Sequence, residues 1–187
     1  MQRKPAKSNQ VRIIGGQWRR RVLHFPDAPG LRPTPDRVRE TLFNWLGQRL
    51  DGLRCLDLFA GSGALGFEAA SRGASQVVMV ERDGQAMAAL RKNRDLLAAT
   101  QVELVSADGL AWLAGEPGRF DIVFLDPPFQ AGLLPAALAR AATRLAPEGR
   151  IYAEFGTRPD LEGWRVVREG RAGQSHFCLL EPAESPS

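Results

Sequence analysis

Two cysteines, two histidines and one tyrosine among 187 residues leave little material for several kinds of chemistry. Cys55 and Cys178 sit in apolar stretches without CxxC spacing. The two cysteines cannot make a four-ligand zinc site and His24 and His176 add little help, so the cysteines read as reduced core thiols and no metal is expected. No run approaches the roughly 18 apolar residues of a membrane span, and the opening MQRKPAKSNQ carries no apolar signal region. A secreted, membrane-embedded or disulfide-built protein is thereby excluded, and a cytoplasmic one expected. What is present is 44% hydrophobic and 25% charged residues, enough for one ordinary domain with a core of its own.

Charge is unevenly distributed. Residues 1–50 hold 11 Lys and Arg against 3 Asp and Glu, a balance of +8, whereas residues 51–187 hold 14 against 18, a balance of −4. A basic front on a mildly acidic body points to a polyanion-binding extension.

Residues 1–10 are polar, contain Pro5 and lack periodicity, which predicts a disordered basic tail. From Val11 to Phe25 the pattern predicts strand, Gly15-Gly16 turn, strand, carrying Arg12, Arg19, Arg20 and Arg21 around Trp18. After a proline-rich connection, Thr34 is the expected N-cap of a helix with Pro35 in its first position and Val38, Leu42, Trp45 and Leu46 at helical spacing. Beyond Leu53, strands and helices alternate. Strands are expected at Leu53–Phe59, Gln76–Glu81, Gln101–Ser106, Phe120–Asp126 and Gly149–Phe155, the fourth apolar enough to be central. Trp164–Glu169 and Ser175–Leu180 lack a helix between them and are candidates for antiparallel pairing. Such alternation gives an α/β fold of doubly wound, Rossmann-like type. The expected divisions are a tail (1–10), a hairpin and helix that contact the polyanion (11–50), a catalytic body (51–182) and a flexible end (183–187).

The first body strand runs into Leu56-Asp-Leu-Phe-Ala-Gly-Ser-Gly-Ala-Leu-Gly66, a G-x-G-x-x-G between strand and helix, and Glu81 follows Gly61 by 20 residues. No Gly-Lys-Ser/Thr follows, which excludes a P-loop. Dinucleotide binding is open, but Asp57 just before the turn would repel a pyrophosphate. It suits instead the ammonium and sulfonium of S-adenosylmethionine. Glu81, Asp108, Asp126 and Glu154 place further carboxylates at successive strand ends, the rim where doubly wound sheets bind ligands. The candidate cofactor residues are Asp57 for the ammonium, Gly61 and Gly63 for close approach, Glu81 for the ribose hydroxyls and Asp108 with Ala107 for the adenine amine. Phe59 and Arg82 flank them.

Asp126-Pro-Pro-Phe129 ends the central strand. An exocyclic base amine is a poor nucleophile because its lone pair is delocalised into the ring. A carboxylate (Asp126) and a backbone carbonyl (Pro127) can accept its two N–H bonds and so turn the lone pair toward a methyl donor. Pro127 and Pro128 remove backbone donors and stiffen the loop, and Phe129 can stack on an extruded base.

In these motifs the body resembles a class I S-adenosylmethionine-dependent methyltransferase. The front narrows the likeness: Arg12-Ile-Ile-Gly-Gly-Gln-Trp-Arg19 and Leu31-Arg-Pro-Thr-Pro-Asp-Arg-Val-Arg-Glu-Thr-Leu-Phe-Asn-Trp-Leu46 resemble the RsmD family of bacterial 16S ribosomal RNA (guanine-966-N2) methyltransferases, as does Arg171-Ala-Gly-Gln-Ser-His-Phe177. The resemblance implies a seven-stranded, mostly parallel sheet with its last strand antiparallel. It also implies activity on 16S rRNA in an assembling or assembled 30S subunit, and a first helix bordering the cofactor site. Thr34 becomes a candidate cofactor contact, and Arg12, Trp18, Arg19, Arg20, Arg21, Arg32, Arg37 and Arg39 candidate RNA contacts. Arg20 and Val22 depart from the family pattern, which has glycine and a basic residue there. A DNA adenine-N6 methyltransferase, a protein glutamine methyltransferase and a non-catalytic RNA-binding protein stay open as alternatives. A monomer is expected.

Overall fold

Strands alternating with helices need a sheet whose faces are both covered, and the computed structural model, which describes residues 9–28, 31–128 and 132–184, has that arrangement. In chain order its elements are β1 (Asn9–Arg12), β2 (Val22–Phe25), α1 (Asp36–Trp45), β3 (Arg54–Asp57), α2 (Ala64–Ser71), β4 (Gln76–Glu81), α3 (Gly84–Leu97), β5 (Val102–Ser106), α4 (Gly109–Gly115), β6 (Phe120–Leu125), α5 (Leu134–Ala142), β7 (Leu145–Phe155), β8 (Trp164–Ala172) and β9 (Ser175–Pro182). The last seven strands form one sheet in the order β5-β4-β3-β6-β7-β9-β8. Pairing is parallel from β5 through β7, whereas β9 runs antiparallel to both β7 and β8. The apolar Phe120–Leu125 strand is central, as its composition requires.

Alternating side chains feed two cores. On one face Cys55, Met79, Phe124, Tyr152 and Phe177 meet α2, α3, α1 and the β1–β2 hairpin. On the other Leu56, Val80, Val123 and Ala153 meet α5 and Leu113 of α4. All eight residues of α2 are buried, because this helix lies between the sheet and the N-terminal extension.

The extension differs from the sequence expectation in two ways. Gly15-Gly16 is not a tight hairpin turn. Asn9 pairs with Phe25 and Arg12 with Val22, and residues 13–21 form a loop laid on the end of α2. Gly16, at φ +78°, approaches so closely that a Cβ would fall 1.9 Å from the Ser71 carbonyl oxygen, a contact that only glycine permits. Arg20 adopts φ +72°, a left-handed backbone that residues with a side chain rarely take. Thr34 does not cap α1: Pro35 takes the cap position without a side-chain hydrogen bond, its carbonyl accepting from the Val38 and Arg39 N–H groups, and the Thr34 hydroxyl is engaged elsewhere.

Candidate active site

In a doubly wound sheet the strand order reverses where two neighbouring strands send their following helices to opposite faces, which opens a crevice at their carboxyl ends. Here that point lies between β3 and β6. Asp57 closes β3, and Asp126 follows β6 directly.

The glycine turn sits above Asp57. Gly61 and Gly63 both have positive φ (53° and 83°), the left-handed backbone that brings the chain from β3 into α2. The turn is held from two sides by carboxylates: Asp57 Oδ2 accepts from the Gly66 N–H at 3.0 Å, and Glu81 Oε2 from the Gly61 N–H at 2.7 Å. Asp57 is enclosed beneath the turn, and burial pushes its carboxyl up to about 7, a rise that the Gly66 N–H opposes and Glu81 reinforces. Glu81 also accepts from the Asp83 N–H at 2.9 Å, and a carboxylate has lone pairs to spare for ribose hydroxyls. Asp108 is exposed and caps α4 by accepting from the Ala111 N–H at 2.9 Å, while the Ala107 N–H donates to the Glu81 carbonyl. Phe59 is half-buried and Arg82 exposed. Asp57, Glu81 and Asp108 around a glycine turn fit a cationic adenosine cofactor and would repel a pyrophosphate. Among the described residues no group of three or more His, Cys, Asp or Glu is arranged to hold a metal ion, and no helix is long and apolar enough to cross a membrane.

Asp126 faces a second carboxylate that sequence patterning left without a role. Leu125 pairs with Ala153, so the next residues, Asp126 and Glu154, lie side by side on adjacent strands. The Thr34 hydroxyl bridges them, 3.3 Å from Asp126 Oδ2 and 3.2 Å from Glu154 Oε2. Tyr152 donates to Glu154 Oε2 at 3.0 Å and Ser175 to Glu154 Oε1 at 3.0 Å. Burial holds the Asp126 carboxyl well above the usual carboxylate range, Glu154 and Asp57 adding to the rise and Thr34 opposing it. Pro127 is buried and Pro128 exposed; Phe129 lies outside the described residues. The Arg171–Phe177 motif finds its place here too, since Ser175 reaches Glu154 and His176 stacks on Phe155 with ring centroids 5.8 Å apart.

Of the basic extension, Arg12, Arg19, Arg20, Arg21, Arg32 and Arg37 are exposed. Two expected RNA contacts are corrected. Trp18 packs in the core, its backbone N–H donating to Ser71 Oγ, and Arg39 is 1% exposed. The Arg39 guanidinium is spent inside the fold on Asp36, Glu68 and the carbonyls of Arg12 and Thr34. The linker before Thr34 passes the glycine turn, with Leu31 against Gly61, and a cavity of about 670 Å³ opens beside it between Phe25, Asp27, Leu31 and Arg32.

The strand order, the antiparallel β9 and the glycine turn at the switch point together define a class I methyltransferase fold. A family model described as "Conserved hypothetical protein 95" matches residues 11–181. The chain is 45% identical over 180 residues to ribosomal RNA small subunit methyltransferase D of Escherichia coli K12, covering 93% of this chain and 91% of that protein. It is 41% identical over 186 residues to the protein of the same name in Haemophilus influenzae, covering 95% and 96%. The solved structure of yhhF from Escherichia coli superposes with a TM-score of 0.84 at 44% identity, covering 93% of this chain and 98% of that one. The chain belongs to the RsmD family.

Proposed function

We propose that this protein is an S-adenosylmethionine-dependent methyltransferase acting on the exocyclic N2 amine of guanine 966 in the 16S rRNA of the small ribosomal subunit. The observation that carries the reading is Asp126, followed by two prolines, at the carboxyl end of the central strand and across the switch point from the glycine turn. The names of the Escherichia coli and Haemophilus influenzae relatives support the rRNA substrate.

When bound, S-adenosylmethionine supplies a methyl group on a positively charged sulfur. Asp57 and Glu81 fix the glycine turn and would hold the methionine and ribose ends, and Asp108 would meet the adenine amine. Asp126 and the Pro127 carbonyl accept the two amine N–H bonds of the target base, aiming its lone pair along the transfer axis. Pro127 and Pro128 contribute no backbone donor, so the amine meets acceptors only. Catalysis is then chiefly orientation in a site already charged for its ligand. The exposed arginines of the extension neutralise RNA phosphates and position the target.

The Asp126→Ala variant tests the chemistry. Methyl transfer to small subunits is expected to fall by more than about a hundredfold, while S-adenosylmethionine affinity stays within about threefold. Turnover like the wild type's would remove Asp126 from the role given to it.

A further inference from the structure

We propose that Asp126, Thr34 and Glu154 form a proton relay, in which Glu154, a positioning residue behind Asp126, takes up the proton that the amine loses on methylation. The proposal rests on the methyltransferase reading above and adds to it a destination for that proton.

The argument is one of hydrogen counting. A threonine hydroxyl carries one proton, yet Thr34 Oγ1 lies within hydrogen-bond distance of both Asp126 Oδ2 and Glu154 Oε2. If both carboxyls are charged, only one of the contacts is a hydrogen bond, and two like charges face each other across a buried oxygen. One proton on the pair turns both contacts into hydrogen bonds and removes the repulsion. The donors decide where it sits. Glu154 is 6% exposed and already receives the hydroxyls of Tyr152 and Ser175, whereas among the described residues Asp126 receives the Thr34 hydroxyl alone. The resting arrangement is therefore Asp126 carboxylic acid to Thr34 hydroxyl to Glu154 carboxylate. Tyr152 remains a donor, because burial and the Glu154 charge push its phenol well above its ordinary value. The other groups around the pair are Asp57 from β3, whose charge adds to the rise at Asp126, and His176 on β9, which stacks on Phe155.

The step balances as follows. The amine nitrogen forms a bond to the methyl carbon as the carbon–sulfur bond breaks, its electron pair passing to sulfur. The methylated nitrogen, now cationic, gives a proton to the free oxygen of Asp126. Asp126 passes its Oδ2 proton to Thr34, and Thr34 passes its own to Glu154 Oε2. Nitrogen and Glu154 end neutral, Asp126 stays an acid with its proton now on the other oxygen, and loss of the Glu154 proton to water with a turn of the Asp126 carboxyl resets the relay.

Three variants test the relay. Glu154→Gln keeps the shape and an acceptor oxygen but takes no proton and carries no charge. Asp126 must then take the proton itself as a lone, weaker base, so kcat is expected to fall about tenfold, with KM for S-adenosylmethionine and RNA within about twofold and the acid limb of the kcat profile moved to higher pH, because it now follows protonation of Asp126 rather than of Glu154. Thr34→Val is expected to fall similarly and Thr34→Ser to stay within about threefold of the wild type. In carbon NMR of the labelled carboxyl groups, Asp126 is expected to keep its proton near neutrality in the wild type and to lose it at lower pH in Glu154→Gln. An unmoved acid limb with an unmoved Asp126 titration would overturn the relay, as would Thr34→Ser as impaired as Thr34→Val. A wild type that methylates no RNA overturns the parent reading instead, and the NMR titration still decides whether the pair shares a proton.

Discussion

Asp57 shows how a single buried carboxyl couples the cofactor turn to pH. An acid held near 7 in the folded chain but near 3.8 in the unfolded one favours folding most when it is protonated in both states. Its contribution is lost as pH rises from about 4 to about 7, and the difference amounts to about 4 kcal/mol in mildly alkaline solution. Asp57→Asn, whose amide oxygen can still accept from the Gly66 N–H, removes that cost. Urea unfolding from pH 4 to pH 8 is expected to show a shallower decline in the variant and greater stability than the wild type at pH 8. Parallel curves would mean that Asp57 ionises in the fold as it does in water. In sequence Asp57 and Asp126 are legible because each ends a strand next to a distinctive turn. Glu154 was visible only as one acid among several strand ends. Its meaning depends on Thr34, 120 residues away, and on Tyr152 and Ser175, and no local pattern registers such a meeting. The same holds for Thr34, whose position before Pro-Asp imitates a helix cap while its hydroxyl goes to the carboxylates.

At the scale of elements, α2 is the hinge of the architecture. Its Glu68, fully buried, accepts from the N–H groups of Ile14 and Gly15 and pairs with Arg39 of α1 and with Arg72. Ser71 bonds the same loop, and Asn93 of α3 clasps the His24 backbone of β2 in both directions. Burial pulls the Arg39 guanidinium below its ordinary value, opposed by Glu68 and Asp36, which is the mark of a cation kept inside by its partners. Glu68→Ala would take the buried ion pair from both Arg39 and Arg72 and remove the acceptor of two backbone N–H groups, a loss of about 3–5 kcal/mol. Calorimetry is expected to show a Tm lower by roughly 10 °C, and a change under one degree would contradict the network. Sequence periodicity located the alternating body and its paired last strands well, because burial imposes period two on strands and a continuous apolar surface on α2. It mistook Trp18 and Arg39 for surface contacts, since a basic, aromatic-bearing segment looks alike whether it faces RNA or a buried acid.

For the whole molecule, the +8 front and the −4 body divide the labour. The acids are gathered at the strand ends, where a cationic cofactor fits. The exposed arginines lie on a hairpin, a linker and a helix that share one core with the body. Because the hairpin is docked by α1, α2 and α3 together, the exposed arginines are held in register with the crevice, and Thr34 at the end of the linker enters the site itself. That arrangement suits the selection of one base within a large folded RNA, where the shape of the surroundings sets the address. The most direct test is transfer of labelled methyl from S-adenosylmethionine to small subunits from cells lacking the modification, with naked 16S rRNA, duplex DNA and protein extract in parallel, followed by nucleoside mass spectrometry. N2-methylguanosine at position 966 of the 16S rRNA is the expected product; label confined to DNA or protein, or no label in the presence of bound cofactor, would contradict it.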